Sequence, residues 1–104
     1  MLSMTTALAL ALQAAPAPPV CAAGLAAGSS PKIWVYKSPG ARKTDKLRRG
    51  SPLFVCSANG GWVYVLYRDR AHTCPGTTAG LDLRYASACA GGWVQRQQVA
   101  LIRR

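Results

Sequence analysis

Leu53 to Tyr67 reads LFVCSANGGWVYVLY, and this stretch decides the fold class. Leu53 to Ser57 has the apolar, partly β-branched composition of a short strand. Asn59-Gly60-Gly61 supplies a turn, because Asn and Gly both accept positive φ. Trp62 to Tyr67 is then the return strand. Its alternation places Trp62, Tyr64 and Leu66 on one face and Val63, Val65 and Tyr67 on the other. Both faces are apolar, which predicts a strand in the middle of a sheet.

Working outward, Lys32 to Lys37 reads KIWVYK and closes at Ser38-Pro39-Gly40, a strand followed by a turn. Gly92 to Gln95 opens a fourth strand and Val99 to Ile102 is a fifth. Outside the N-terminal segment no stretch carries a helical period. The expectation is an all-β domain of five short strands with Gly/Pro turns, a small barrel or sandwich. Gly60-Gly61-Trp62-Val63 recurs as Gly91-Gly92-Trp93-Val94. This reads as one turn-into-strand device used twice, with each Trp expected to cover one end of a barrel.

The N-terminal third differs in kind. Met1 to Pro31 carries no charged side chain, and ALALAL at Ala7 to Leu12 leads into APAPP. The apolar core is shorter than the roughly 20 residues of a membrane-spanning helix, and its prolines would break one. A short apolar segment followed by small residues has the shape of a cleavable signal peptide, although no Lys or Arg precedes it. Val20-Cys21-Ala22 offers small residues at −3 and −1. The reading is a signal peptide over residues 1–22, a flexible small-residue linker over 23–31 and a single basic domain over 32–104. The protein is then periplasmic or secreted, with no membrane span and a monomeric state.

All 13 Lys and Arg and all three acids fall in that domain, which therefore carries the whole formal charge of +10. So small a unit buries only about 60% of its unfolded surface and needs staples. Its charge favours anionic partners. Arg42, Lys43, Lys46, Arg48 and Arg49 form a cluster expected in a loop, either a solvated surface or an anion-facing rim. Asp45, inside that cluster, should pair with a neighbouring Lys or Arg. Asp82 has no assignable role.

An exported chain is oxidised, and Cys74 and Cys89 bracket the segment between the third and fourth strands. They are the favoured disulfide pair. With Cys21 removed in the leader, Cys56 is expected to be a buried free thiol. If the leader is kept that far, Cys56 can bridge Cys21, and re-pairing with a loop cysteine is the other alternative. Three Cys and one His match no common zinc spacing, so no metal or other cofactor is expected. His72 reads as an exposed loop residue, with no carboxylate expected beside it or Cys74. No Gly-rich phosphate loop is present. A non-enzyme is the reading that remains.

The order of these features resembles the bacterial Src homology 3 domain. The pattern runs from a short strand and Pro/Gly loop (Ile33 to Gly40) through the basic-Gly step Lys46-Leu47-Arg48-Arg49-Gly50-Ser51-Pro52. It continues with an apolar strand (Leu53 to Cys56) and the hairpin Gly61-Trp62-Val63-Tyr64-Val65. Gly92-Trp93-Val94 and a last strand close it. The likeness covers about Lys32 to Ile102 apart from an insertion from Tyr67 to Gly91. It implies a five-stranded SH3-like barrel that acts as a non-catalytic module and binds cell-wall glycan (peptidoglycan) or an acidic envelope protein. Tyr36, Trp62 and Trp93, with the five basic residues, are the candidate contacts. A small exported inhibitor or immunity-type protein with one tight protein partner is the alternative. A barrel binding single-stranded nucleic acid ranks behind both, because an exported chain meets little nucleic acid.

Overall fold

The computed structural model describes residues 19–102, so nearly all of the expected leader lies outside the described residues. Among the described residues there are eight strands: β1 (Val20–Ala26), β2 (Lys32–Tyr36), β3 (Lys43–Arg48), β4 (Pro52–Asn59), β5 (Trp62–Tyr67), β6 (Leu81–Asp82), β7 (Ala90–Gln95) and β8 (Val99–Leu101). All pair antiparallel, in the order β3-β2-β7-β5-β4-β1-β6, with β8 also on β1. The fold is all-β, and β5 lies inside the sheet between β7 and β4.

The strands expected from alternation and β-branched composition are present. Asn59 pairs with Trp62, so the two turn residues are Gly60 and Gly61 rather than Asn59 and Gly60. Gly60 takes the left-handed conformation, at φ 61°. Three strands are additional to the five expected, and each has a physical reason.

The first is β1. Residues 23–26, read as flexible linker, are a strand paired on one side with β4 and on the other with β8. Its small residues are what a crowded position requires. A Cβ on Gly24 would lie 2.9 Å from the carbonyl oxygen of Ala100. The second is β3, expected to be a charged loop. It is an edge strand paired with β2, and Leu47 is its one buried residue. Lys-rich, outward-facing sequence is how an exposed sheet edge avoids pairing with other chains. The third is β6, two residues of the insertion that pair with Val20 and Cys21.

Two cores flank the sheet. On one face Ile33, Val35, Leu53, Val65 and Val94 are fully enclosed, with Val63, Tyr67, Leu47 and Ala26 beside them. On the opposite face of β1, β4 and β5 lies a second cluster of Cys21, Ala23, Phe54, Leu66, Leu81, Cys74 and Cys89. Its lid is the insertion, which includes a 3-10 helix at Leu83–Ala88. The lid fits closely. Gly76 lies against the Phe54 ring with no room for a Cβ.

Both pairs of cysteines are bridged. Cys74–Cys89 closes the insertion and Cys21–Cys56 joins β1 to β4. The expectation of a free Cys56 thiol is therefore corrected, and the bridge to Cys21 is the alternative that holds when the leader is kept that far. The register pairs Ala22 with Val55, which brings Cys21 and Cys56 opposite each other at a Cα separation of 4.4 Å.

Candidate functional site

The second core covers only half of its face. Toward β7, β2 and β3 the same side of the sheet has no lid, and it carries the aromatic residues. Alternation in β2 buries Ile33 and Val35 and turns Trp34 and Tyr36 outward. In β5 it turns Trp62 and Tyr64 outward, and in β7 Trp93. All five rings are half-buried, with their strands behind them.

Register brings them together. Tyr36 pairs with Trp93 and Trp93 with Tyr64, a continuous row across β2, β7 and β5. Tyr36 meets Trp62 edge to face at 5.1 Å between centroids, and Tyr64 meets Trp93 the same way at 5.4 Å. Edge-to-face contacts of this kind hold rings in fixed orientations. The expectation that Trp62 and Trp93 cap the ends of a barrel is corrected. They stand on the sheet face, because both occupy the phase of their strands opposite to the core valines. Glycines leave room around the ledge: the Tyr64 hydroxyl lies over Gly91, 2.5 Å from where a Cβ would be.

Cations border the rings on the β3 side. Lys43 pairs with Tyr36, Lys46 with Trp34 and Arg48 with Lys32, all in the outward phase. The Lys43 Nζ sits 4.3 Å from the centroid of the Trp34 ring, within cation–π range. Arg42 precedes β3, and its carbonyl accepts from the Lys37 N–H at 3.0 Å. Arg49 follows β3, and its Nη1 donates to the carbonyls of Gly28 and Ser29 at 3.3 and 3.1 Å. An open cleft of about 570 Å³ lies at this end, lined by Pro31, Lys32, Lys46, Leu47, Arg48 and Arg49. Lys46 belongs to both the cleft and the border of the ledge. Of the residues singled out from the sequence, Tyr36, Lys43, Lys46, Arg48, Trp62 and Trp93 lie on this side of the sheet. Arg49 lines the cleft alone and Arg42 sits at the loop that opens β3. Trp34, Tyr64 and Lys32 also lie here, although they were not among the chosen contacts. Strand alternation would have found them, since each sits two residues from a chosen position or directly across from one.

The acids are held elsewhere. Asp45 faces the inner side, where it accepts from the Tyr67 hydroxyl at 2.8 Å and from the Lys46 N–H at 2.8 Å. It makes no ion pair among the described residues, which corrects the expected partnership with Lys or Arg. Burial and then Asp45 push the Tyr67 phenol well above the usual tyrosine range. Asp82 caps the 3-10 helix through the Arg84 N–H and pairs with the Arg84 guanidinium at 2.8 Å. Arg84 holds the Asp82 carboxyl below its ordinary range. His72 Nδ1 lies 2.7 Å from Asp69 Oδ1, so a carboxylate does stand beside this histidine, contrary to expectation. That contact lowers the Asp69 carboxyl. Cys74, two residues from His72, has its sulfur committed to Cys89.

The ledge offers ring faces for stacking and fixed positive charge beside them, with no carboxylate among its residues. No protein-family model, curated protein or solved structure matches this chain.

Proposed function

We propose that this protein is an exported, non-catalytic binding module that holds an anionic cell-wall glycan on the ledge formed by β3, β2, β7 and β5. The row Lys43–Tyr36–Trp93–Tyr64 carries the reading. Sugar rings present flat C–H faces that pack on aromatic rings, while the carboxylates of the peptide stems complement Lys43 and Lys46. Aromatic side chains supply large, rigid contact area at small entropic cost, which suits a repeating polymer. Two disulfides fit an oxidising compartment. The SH3-like reading is supported by the order of the Gly-Trp hairpin β4–β5, the Gly-Trp-Val strand β7 and the closing strand β8.

Export with β1 retained places the cut in the leader upstream of Val20. Cleavage after Ala17 would keep the whole strand and Cys21 but would put Pro18 at +1, which is unfavourable for signal cleavage. Cleavage after Ala22 would remove both.

Retention on purified sacculi tests the function. Wild type should sediment with them, and Tyr36→Ala with Trp93→Ala should weaken retention about tenfold or more, the usual loss for central aromatic anchors. Lys43→Gln with Lys46→Gln should weaken it less and make it less salt-sensitive. Unchanged circular dichroism in each variant separates binding from folding. Retention of the aromatic variant equal to wild type would remove the ledge from the account. Preference for a single-stranded oligonucleotide over sacculi at physiological salt would replace the glycan by nucleic acid.

A further inference from the structure

We infer that the cleft between the start of β2 and the end of β3 is a phosphate site, so that the ligand of the ledge also carries phosphomonoester groups. The inference rests on the binding-module reading above and names the anionic group that such a ligand bears.

Four of the six residues lining the cleft are cationic: Lys32, Lys46, Arg48 and Arg49. None is acidic. The nearest acid in sequence, Asp45, does not line the cleft and accepts from the Tyr67 hydroxyl and the Lys46 N–H. Among the described residues the ion pairs are His72 with Asp69 and Arg84 with Asp82, so no carboxylate neutralises the cleft. Like charges gathered on one short stretch of sheet repel, and a high net charge already disfavours the compact state. A bound anion relieves that repulsion.

Two features choose phosphate over a carboxylate. A single carboxylate brings one charge and two oxygens to four cations. A phosphate group brings up to two charges and three strong acceptor oxygens, enough to engage several of these side chains at once. The second feature is preorganisation. The Arg49 guanidinium is already held by the carbonyls of Gly28 and Ser29 through Nη1, which leaves its other N–H groups to donate. Arginine's planar fork matches phosphate oxygens and is weakly hydrated, so little is lost in desolvating it. Pro31 and Leu47 supply apolar wall that lowers the local dielectric. Lys46, shared with the ledge, ties a phosphate in the cleft to a ring on Trp34 one strand away.

The test uses small anions that cannot span from the cleft to the ledge. Tripolyphosphate and citrate are titrated into the full oxidised protein, followed by backbone amide shifts in nuclear magnetic resonance. Tripolyphosphate should shift the amides of Lys32, Leu47, Arg48 and Arg49 and bind at least tenfold more tightly than citrate. Arg48→Gln with Lys32→Gln should weaken it about tenfold or more, since charged hydrogen bonds are lost. Arg84→Gln, which changes charge outside both cleft and ledge, should leave it within twofold. Equal affinity for citrate, or equal weakening by Arg84→Gln, would reduce the cleft to general positive charge and overturn the phosphate assignment. Failure of tripolyphosphate to shift the cleft amides overturns it as well. Sacculus retention is read separately, so loss of the cleft proposal and loss of the ledge are distinguishable.

Discussion

Tyr67 shows how one side chain links the sheet edge to the core. It is 3% exposed, and its hydroxyl donates to Asp45 across 22 residues of sequence. Tyr67→Phe should cost about 1–2 kcal/mol in denaturant unfolding, because a half-buried carboxylate loses a hydrogen-bond donor. The alkaline behaviour gives a second readout. An unfolded tyrosine titrates near pH 10. In the folded state burial and the Asp45 hydrogen bond raise that value, so deprotonation favours the unfolded chain. Stability from this group is complete below about pH 10 and is lost as pH rises above it. The wild-type unfolding free energy should therefore fall more steeply than that of Tyr67→Phe in this range. Equal alkaline slopes would mean that burial and Asp45 together do not raise the Tyr67 phenol. Alternation within WVYVLY is enough to place Tyr67 on the core side. Its partner was illegible because Asp45 reaches it only when Lys43 to Arg48 forms a strand, and a stretch so rich in charge carries no burial pattern of its own.

At the scale of elements the two disulfides have different tasks. Cys21–Cys56 joins neighbouring strands and closes a separation of 35 residues, while Cys74–Cys89 closes 15 within the lid of the second core. The loop-entropy argument values them at about 4 and about 3 kcal/mol. Cys56→Ser should therefore destabilise at least as much as Cys74→Ser, and Cys21→Ser should match Cys56→Ser. Denaturant midpoints of the oxidised variants decide this. A Cys56→Ser variant as stable as wild type would break the pairing. The lid bridge was readable because its cysteines flank an insertion between two recognisable strands. The other was not, because VCAAGLA has the small-residue composition of a cleavage region. The same composition serves a strand flanked closely on both sides, as the contact of Gly24 with Ala100 shows.

For the whole molecule, the position of β1 in the sheet ties processing to stability. Under the proposal of export, the mature protein should have an intact mass that places its first residue at or before Val20. A chain beginning at Ala23 would lose the pairing of Val20 and Cys21 with β6 and would expose a thiol at Cys56. Thiol labelling without reductant should accordingly detect no free cysteine. A mass that starts beyond Cys21 on stable, folded protein would refute the role given to β1. The formal charge of +10 also acts at this scale. It belongs to a chain whose three acids are engaged within the fold, so binding to polyanions should weaken steeply with salt, as counterion release requires.

The local pattern of residues determined the class of this fold. Period-two alternation, β-branched and aromatic runs and Gly turns specify strands through contacts a few residues apart, and they placed Trp62, Tyr64 and Trp93 in the right elements. What only the tertiary structure decided was which of those residues share a surface. Tyr36 meets Trp93, and Lys43 and Lys46 border them, because β2 and β7 are neighbours, a pairing set by packing of the whole sheet. It also decided that residues 20–26 belong to the domain. Ala, Gly and Cys suit a leader and a crowded strand equally well, so their role depends on the strands and the cysteine that stand opposite them.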